Sequence, residues 1–156
     1  HSDLVVARAL GRFERRLYAA PEYLEQQGTP AEPSELQQHH TVTHTAQGPA
    51  VTWAFRNAQG KPLEVTVRSR LAASSSALVH HALVGGAGIG MLSSPLAAAD
   101  VAQGRLVEVL APFASRTVHT LYAVSSPGRR NAARVKAVID FLVKASKDRW
   151  ALAPVR

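Results

Sequence analysis

Apolar and polar positions change their period several times along this chain, and each change marks an element. Residues 4–8 form a short apolar run ahead of a turn at Gly11, and residues 16–20 form another; each reads as a strand. Pro21 then stands at a first helical position and Gly28 at a C′ position, which predicts a short helix over Pro21–Gln27. Ser34 and Gln37, after Pro33, have capping-box spacing and start a second short helix through His39. Period two governs residues 41–69. Val51 to Phe55 and Leu63 to Val67 alternate on either side of a turn at residues 57–60, which predicts a hairpin with Trp53, Phe55, Leu63, Val65 and Val67 on one face.

The second half alternates helices with strands. A helix starts at the serine cluster Ser74, Ser75 and Ser76, with Leu78, Val79, Ala82 and Leu83 on its buried side, and residues 89–92 follow as a buried strand. Ser94 caps a helix with Pro95 at its first position, and Gly104 closes it. Residues 105–110 and 117–124 read as strands and residues 126–130 as a loop. The last helix, residues 131–147, carries an apolar stripe of Val135, Val138, Ile139, Leu142 and Val143, with Arg134, Lys136, Lys144 and Lys147 on the wet side. Strands alternating with helices argue an α/β architecture.

The glycines at positions 85, 86, 88 and 90 imitate a dinucleotide-binding loop, but in reversed order. Such a loop follows a strand and opens a helix, so that the helix start meets the pyrophosphate. Here the helix comes first. A left-handed C-cap with close helix–sheet packing accounts for these glycines better.

Composition narrows the chemistry. A content of 46% hydrophobic and 19% charged residues belongs to globular proteins. The lack of cysteine excludes disulfides, thiolate metal sites and a cysteine nucleophile. No apolar run reaches the roughly 18 residues of a membrane span, and the opening His-Ser-Asp shows no secretory signal. The net charge of +7 is spread over arginines and lysines along the whole chain without a nucleic-acid-binding motif, so a solvated basic surface is expected. Among the seven histidines, His40 and His44 lie on a predicted strand, while His80 and His81 diverge, so neither pair has ligand spacing and no metal or cofactor is expected. No Gly-x-Ser-x-Gly elbow, Ser-x-x-Lys pair or paired carboxylates appear, and an enzymatic role is not expected. The serine cluster remains, at a helix start with free backbone N–H groups and partial positive charge. Ser74 to Ser76 are either a ligand-holding site or simply an N-cap with its loop.

Six features in order are similar to the C-terminal effector-binding domain of LysR-type transcriptional regulators. They are the opening segment to Gly11, the run from Leu17 through Pro30, Leu36 and His39, and the Trp53, Phe55, Val65 and Val67 hairpin. Next come the serine helix with Gly86, Gly88 and Gly90, then Gly104 to Val107, then the helix around Val135 to Leu142. The likeness covers residues 3–143. Two departures stand out: Ser74 or Ser75 replaces a usual Asn or Asp, and Leu92-Ser93 replaces Leu-Pro.

The resemblance implies a periplasmic-binding-protein-like fold of two Rossmann-like lobes. The second, about residues 18–120, is expected complete; the first, residues 1–17 and 121–147, is expected partial. A small effector, typically a carboxylate, an aromatic or a metabolite, is implied in the cleft between lobes, with Ala73, Ser74, Ser75 and Ser76 at the pocket and Ile89 as a wall. Also implied are self-association into a dimer or higher oligomer, a cytoplasmic location without membrane contact, and DNA binding only through a winged helix-turn-helix absent from this chain. The alternative expectation is a lobe of a solute-binding protein.

Overall fold

The computed structural model describes residues 6–45, 50–57, 59–114, 117–125 and 132–149. Two compact units make up the chain: Arg15–Thr117, and a second drawn from both ends, His1–Glu14 with Val118–Arg156.

Where the sequence pattern suggests two strands split at Gly11, there is one, β1 (Val6–Ala19). Ala9 pairs with Tyr122 and Gly11 with Leu121, so Leu10 is an inserted residue. This bulge shifts the inside–outside alternation by one and breaks the apolar pattern while the ladder continues. Leu4 and Val5 lie outside the described residues.

In the Arg15–Thr117 unit, α1 (Pro21–Gln27) ends at Gly28 with φ 83°, as its proline and glycine predict. The expected capping box does not form. Pro33–Gln38 is a 3₁₀ helix begun by Pro33, and the Glu35 carboxylate accepts the N–H of Ala31 at 2.8 Å instead. Next come β2 (Thr41–His44) and the hairpin of β3 (Ala50–Arg56) with β4 (Pro62–Ala73). Val51 faces Val67, Trp53 faces Val65 and Phe55 faces Leu63. Trp53, Phe55, Val65 and Val67 are buried as expected, while Leu63, near the turn, is 37% exposed. Asn57 Oδ1 organises that turn by accepting the N–H groups of Gln59 and Lys61; Ala58 lies outside the described residues.

Helix α2 (Ser76–Val84) buries Val79 and Leu83 completely, but Leu78 is 54% exposed. The buried arc centres on the i, i+4 pair 79 and 83, and Leu78 falls beyond Ala82 at its edge. The helix ends in a Schellman motif: Ala87 N–H bonds Ala82 O at 2.9 Å and Gly86 N–H bonds Leu83 O at 3.1 Å, with Gly86 at φ 75°. The chain then enters β5 (Ile89–Ser93). A Cβ at Gly90 would stand 2.6 Å from Val42 O and 3.0 Å from Leu83 Cδ2, which is the close helix–sheet packing expected of this cluster. Helix α3 (Ser94–Ala102) has Ser93 at its N-cap position, one residue before the predicted cap and without a side-chain capping bond. Strand β6 (Val107–Val109) is shorter than expected, because the N–H groups of Arg105 and Leu106 go to the carbonyl of Asp100 at 2.8 and 3.3 Å.

The strand order is β3-β4-β2-β5-β1-β6. Strands β4, β2 and β5 are parallel neighbours, the end of β1 runs antiparallel between β5 and β6, and β3 is an antiparallel edge. Both faces of this sheet are covered. Leu17 and Ala19 join the core containing Tyr23, Leu36, Trp53 and Ile89, whereas Tyr18 joins the one containing Val42, Val79, Leu83 and Leu106, as strand alternation requires.

In the other unit, the first part of β1 pairs antiparallel with β7 (Val118–Ser125), and α4 (Ala132–Arg149) packs nearby. Arg8 and Lys136 both pair with Asp140, and Ser146 Oγ donates to the bulged Leu10 carbonyl at 2.7 Å. Of the predicted stripe, Val135, Ile139 and Val143 are half-buried, whereas Val138 and Leu142 are exposed, beside Phe141 at 68%. The predicted loop at 126–130, residue 131 and the Lys147 side chain lie outside the described residues.

Candidate functional site

The parallel strands β4, β2 and β5 end together, at Ala73, His44 and Ser93, and His44 is directly paired with Ala73. Helices α2 and α3 both begin at this edge, one after β4 and the other after β5. The carboxyl ends of parallel strands are where open α/β sheets bind ligands, because helix N-termini converge there with unsatisfied N–H groups.

Ser75 is the N-cap of α2, in extended conformation at φ −116° and ψ 123°, and no side-chain hydrogen bond caps the helix. The first intrahelical bond to Ser75 comes from the N–H of Val79, at 3.1 Å. The preceding N–H groups of the first turn therefore have no intrahelical acceptor. Ser74, Ser75 and Ser76 are all exposed here, and Ala73 beneath them is 7% exposed.

Ile89 is not part of this edge. It is the first residue of β5, paired with Thr41 at the opposite end of the strands, and its side chain is fully buried in the core with Leu17 and Tyr23. Four strand residues, about 13 Å at 3.3 Å each, separate it from the carboxyl edge. The structure therefore does not bring Ile89 together with the serines.

The structure adds groups that spacing does not reveal. Thr43, fully buried in β2, shares a hydrogen bond with Ser69 of β4, so these hydroxyls between the two strands are satisfied. Ser93 at the start of α3 is a further serine at this edge. Below the surface, Asp100 of α3 ties α2 in place. Its Oδ2 accepts from His80 Nε2 at 2.6 Å and its Oδ1 from Arg105 Nε at 2.7 Å, with its side chain 7% exposed. The hydrogen bond from His80 and then that from Arg105 hold the Asp100 carboxyl below its ordinary value of 3.8, against the opposing effect of desolvation. Register alone could have pointed to Thr43; nothing in the spacing pairs His80 with Asp100. Among the described residues, no group of three or more His, Asp or Glu is placed to hold a metal ion, and no helix is long and apolar enough to cross a membrane.

Comparison with known proteins matches residues 1–147 to the LysR substrate binding domain family. The chain is 35% identical over 138 residues to the HTH-type transcriptional regulator CrgA of Neisseria meningitidis serogroup C (strain 8013), covering 88% of this chain and 46% of CrgA. It is 32% identical over 136 residues to the HTH-type transcriptional regulator PtxR of Pseudomonas aeruginosa, covering 87% of this chain and 43% of PtxR. Among solved structures, the CrgA regulatory domain from Neisseria meningitidis aligns with a TM-score of 0.81 and 34% identity, over 92% of this chain and 69% of that one. Full-length AphB of Vibrio cholerae aligns with a TM-score of 0.77 and 26% identity, over 94% and 49%. The chain thus spans about half the length of the curated relatives it matches.

Proposed function

Because the chain belongs to the LysR substrate binding domain family, we propose that it is the effector-sensing portion of a LysR-type transcriptional regulator. The unit Arg15–Thr117 is read as the second lobe, and the unit drawn from the two chain ends as part of the first. The observation that carries the site is the exposed, uncapped start of α2 at the carboxyl edge of the parallel strands, with Ser74, Ser75 and Ser76 around it. Orphan N–H groups and partial positive charge suit a small carboxylate or another polar anion, and the hydroxyls add donors. An effector that binds one conformation of the intact regulator more tightly than another shifts the balance between them, and so alters how the protein sits on DNA. DNA contact in this reading belongs to a winged helix-turn-helix outside this chain, and the protein works in the cytoplasm without a catalytic step. The curated relatives are HTH-type regulators, which does not favour the reading as a lobe of a transport protein.

Ser74→Ala with Ser75→Ala in the intact regulator is expected to weaken binding of a small carboxylate effector about tenfold, the loss of one or two ordinary hydrogen bonds. DNA affinity without effector stays near normal. Calorimetric titration against a panel of small carboxylates and aromatic acids checks this, and unchanged affinity would sink the site assignment.

Self-association is the second expectation. Val6, Tyr122, Val124, Val138 and Phe141 are between 52% and 68% exposed, more large apolar surface than one small unit ordinarily leaves in water. We propose that oligomerisation or a further segment of the regulator covers it. Solution scattering of the chain as given should show a dimer or larger; a clean monomer at high concentration speaks against that.

A further inference from the structure

A second group of titratable side chains lies at the opposite end of the strands from the serines, where α1, the 3₁₀ helix Pro33–Gln38, β2 and β4 meet. Tyr23 of α1 is 4% exposed and sits between two imidazoles, with ring centroids 6.0 Å from His39 and 6.1 Å from His40. Its Oη accepts the backbone N–H of His40 at 2.9 Å and lies 3.1 Å from His39 Nδ1. The guanidinium of Arg70 stands 2.8 Å from both ring nitrogens of His40.

The backbone N–H of His40 already donates to the Tyr23 oxygen, so the Tyr23 O–H can point its proton at His39 Nδ1 when that nitrogen is a bare lone pair. Adding a proton to His39 turns that acceptor into a donor facing Tyr23, and the Tyr23 O–H must turn away from it.

We propose that Tyr23, His39 and the backbone of His40 form a proton-operated latch that fastens α1 and the 3₁₀ helix to the start of β2 when the His39 imidazole is neutral, and releases them on acidification. The proposal does not depend on the effector reading. The charged and titratable groups facing the latch are Tyr23 from α1, Glu35 from the 3₁₀ helix, the His40 side chain before β2 and Arg70 from β4. Glu35 alone favours a charged His39, and its carboxylate is engaged with the N–H of Ala31. Burial, reinforced by His40, outweighs Glu35 and lowers His39 below its ordinary value of 6.5. A group so depressed contributes stability in full above the unfolded value and loses it as pH falls from there towards the folded value. The latch also reaches the sheet, because the carbonyl of His40 accepts the N–H of Ile89 at 2.9 Å.

Hydrogen–deuterium exchange on the whole chain, corrected for the pH dependence of intrinsic rates, tests the latch. Residues 21–40 are expected to exchange on the order of tenfold faster at about pH 5.5 than at about pH 7.5, as uptake of one proton on opening implies. The hairpin at residues 51–67 should change little. In the His39→Asn variant, whose amide oxygen accepts the same bond at every pH, the acceleration should vanish. Equal protection of residues 21–40 at both pH values in the wild type overturns the proposal, whether or not the variant folds. So does an acceleration shared equally by the hairpin, or one that survives in the His39→Asn variant.

Discussion

Gly88→Ala is expected to destabilise the protein by about 3 kcal/mol or more, combining steric overlap with backbone strain. At φ 148° the residue occupies a region that side chains rarely adopt, and a Cβ there would overlap the carbonyl oxygen of His40 and stand 2.8 Å from its carbonyl carbon. That oxygen cannot retreat freely, because it accepts the N–H of Ile89 and joins β2 to β5. Gly86 provides the control. Its φ is 75°, but nothing lies within 4 Å of an added Cβ, so Gly86→Ala should cost only the left-handed conformational penalty of about 1–2 kcal/mol. Urea unfolding of the two variants separates these costs. Equal losses would mean that the close approach at Gly88 is absent and that the two glycines differ in nothing but dihedral angle.

Asp100→Ala should be nearly as damaging, at about 2–3 kcal/mol near neutral pH, since it removes a buried carboxylate that accepts two hydrogen bonds. His80 on α2 and Arg105 before β6 would both lose their acceptor. Asp100→Asn keeps one acceptor oxygen and removes the charge, so it isolates the electrostatic share. The sign of its pH dependence follows from the depressed Asp100 carboxyl. The contribution is fully present above the unfolded value, near 3.8, and is lost as pH falls through the lower folded value. The stability gap between wild type and Asp100→Asn should therefore hold steady through the neutral range and close only in strong acid. A gap that closes already around neutrality would mean that the Asp100 carboxylate is not the group responsible.

Local signals carried most of the fold. The alternation of Trp53, Phe55, Val65 and Val67 defined the hairpin, and the order helix, glycines, strand pointed to a left-handed C-cap and the tight seat of β5 under α2. Errors arose wherever a long-range partner decides the outcome. The single strand β1 looked like two because the bulge at Leu10, fixed by pairing with β7, interrupts the alternation. The box at Ser34 and Gln37 was displaced by Pro33, which starts the 3₁₀ helix one residue earlier. Strand β6 is short because Asp100, before the turn, takes the N–H groups of Arg105 and Leu106. At the candidate site, the position of the serines at a helix start was legible from composition and spacing. The placement of Ile89 was not, because only the strand register shows that it sits at the amino end of β5. The tie between His80 and Asp100 joins two helices twenty positions apart and leaves no periodic trace.

The unit made from residues before Arg15 and after Thr117 has consequences for the order in which the chain acquires structure. Arg15–Thr117 is contiguous and can complete its sheet as soon as it leaves the ribosome. The other unit must wait, because β1 has no β7 to pair with until residues 118–125 have emerged. Closing a loop of that length costs roughly 4 kcal/mol of chain entropy, a barrier that falls once the intervening segment has already collapsed. A nascent chain in which Arg15–Thr117 has cleared the ribosome and residues 118–125 have not should therefore already yield a protease-resistant fragment.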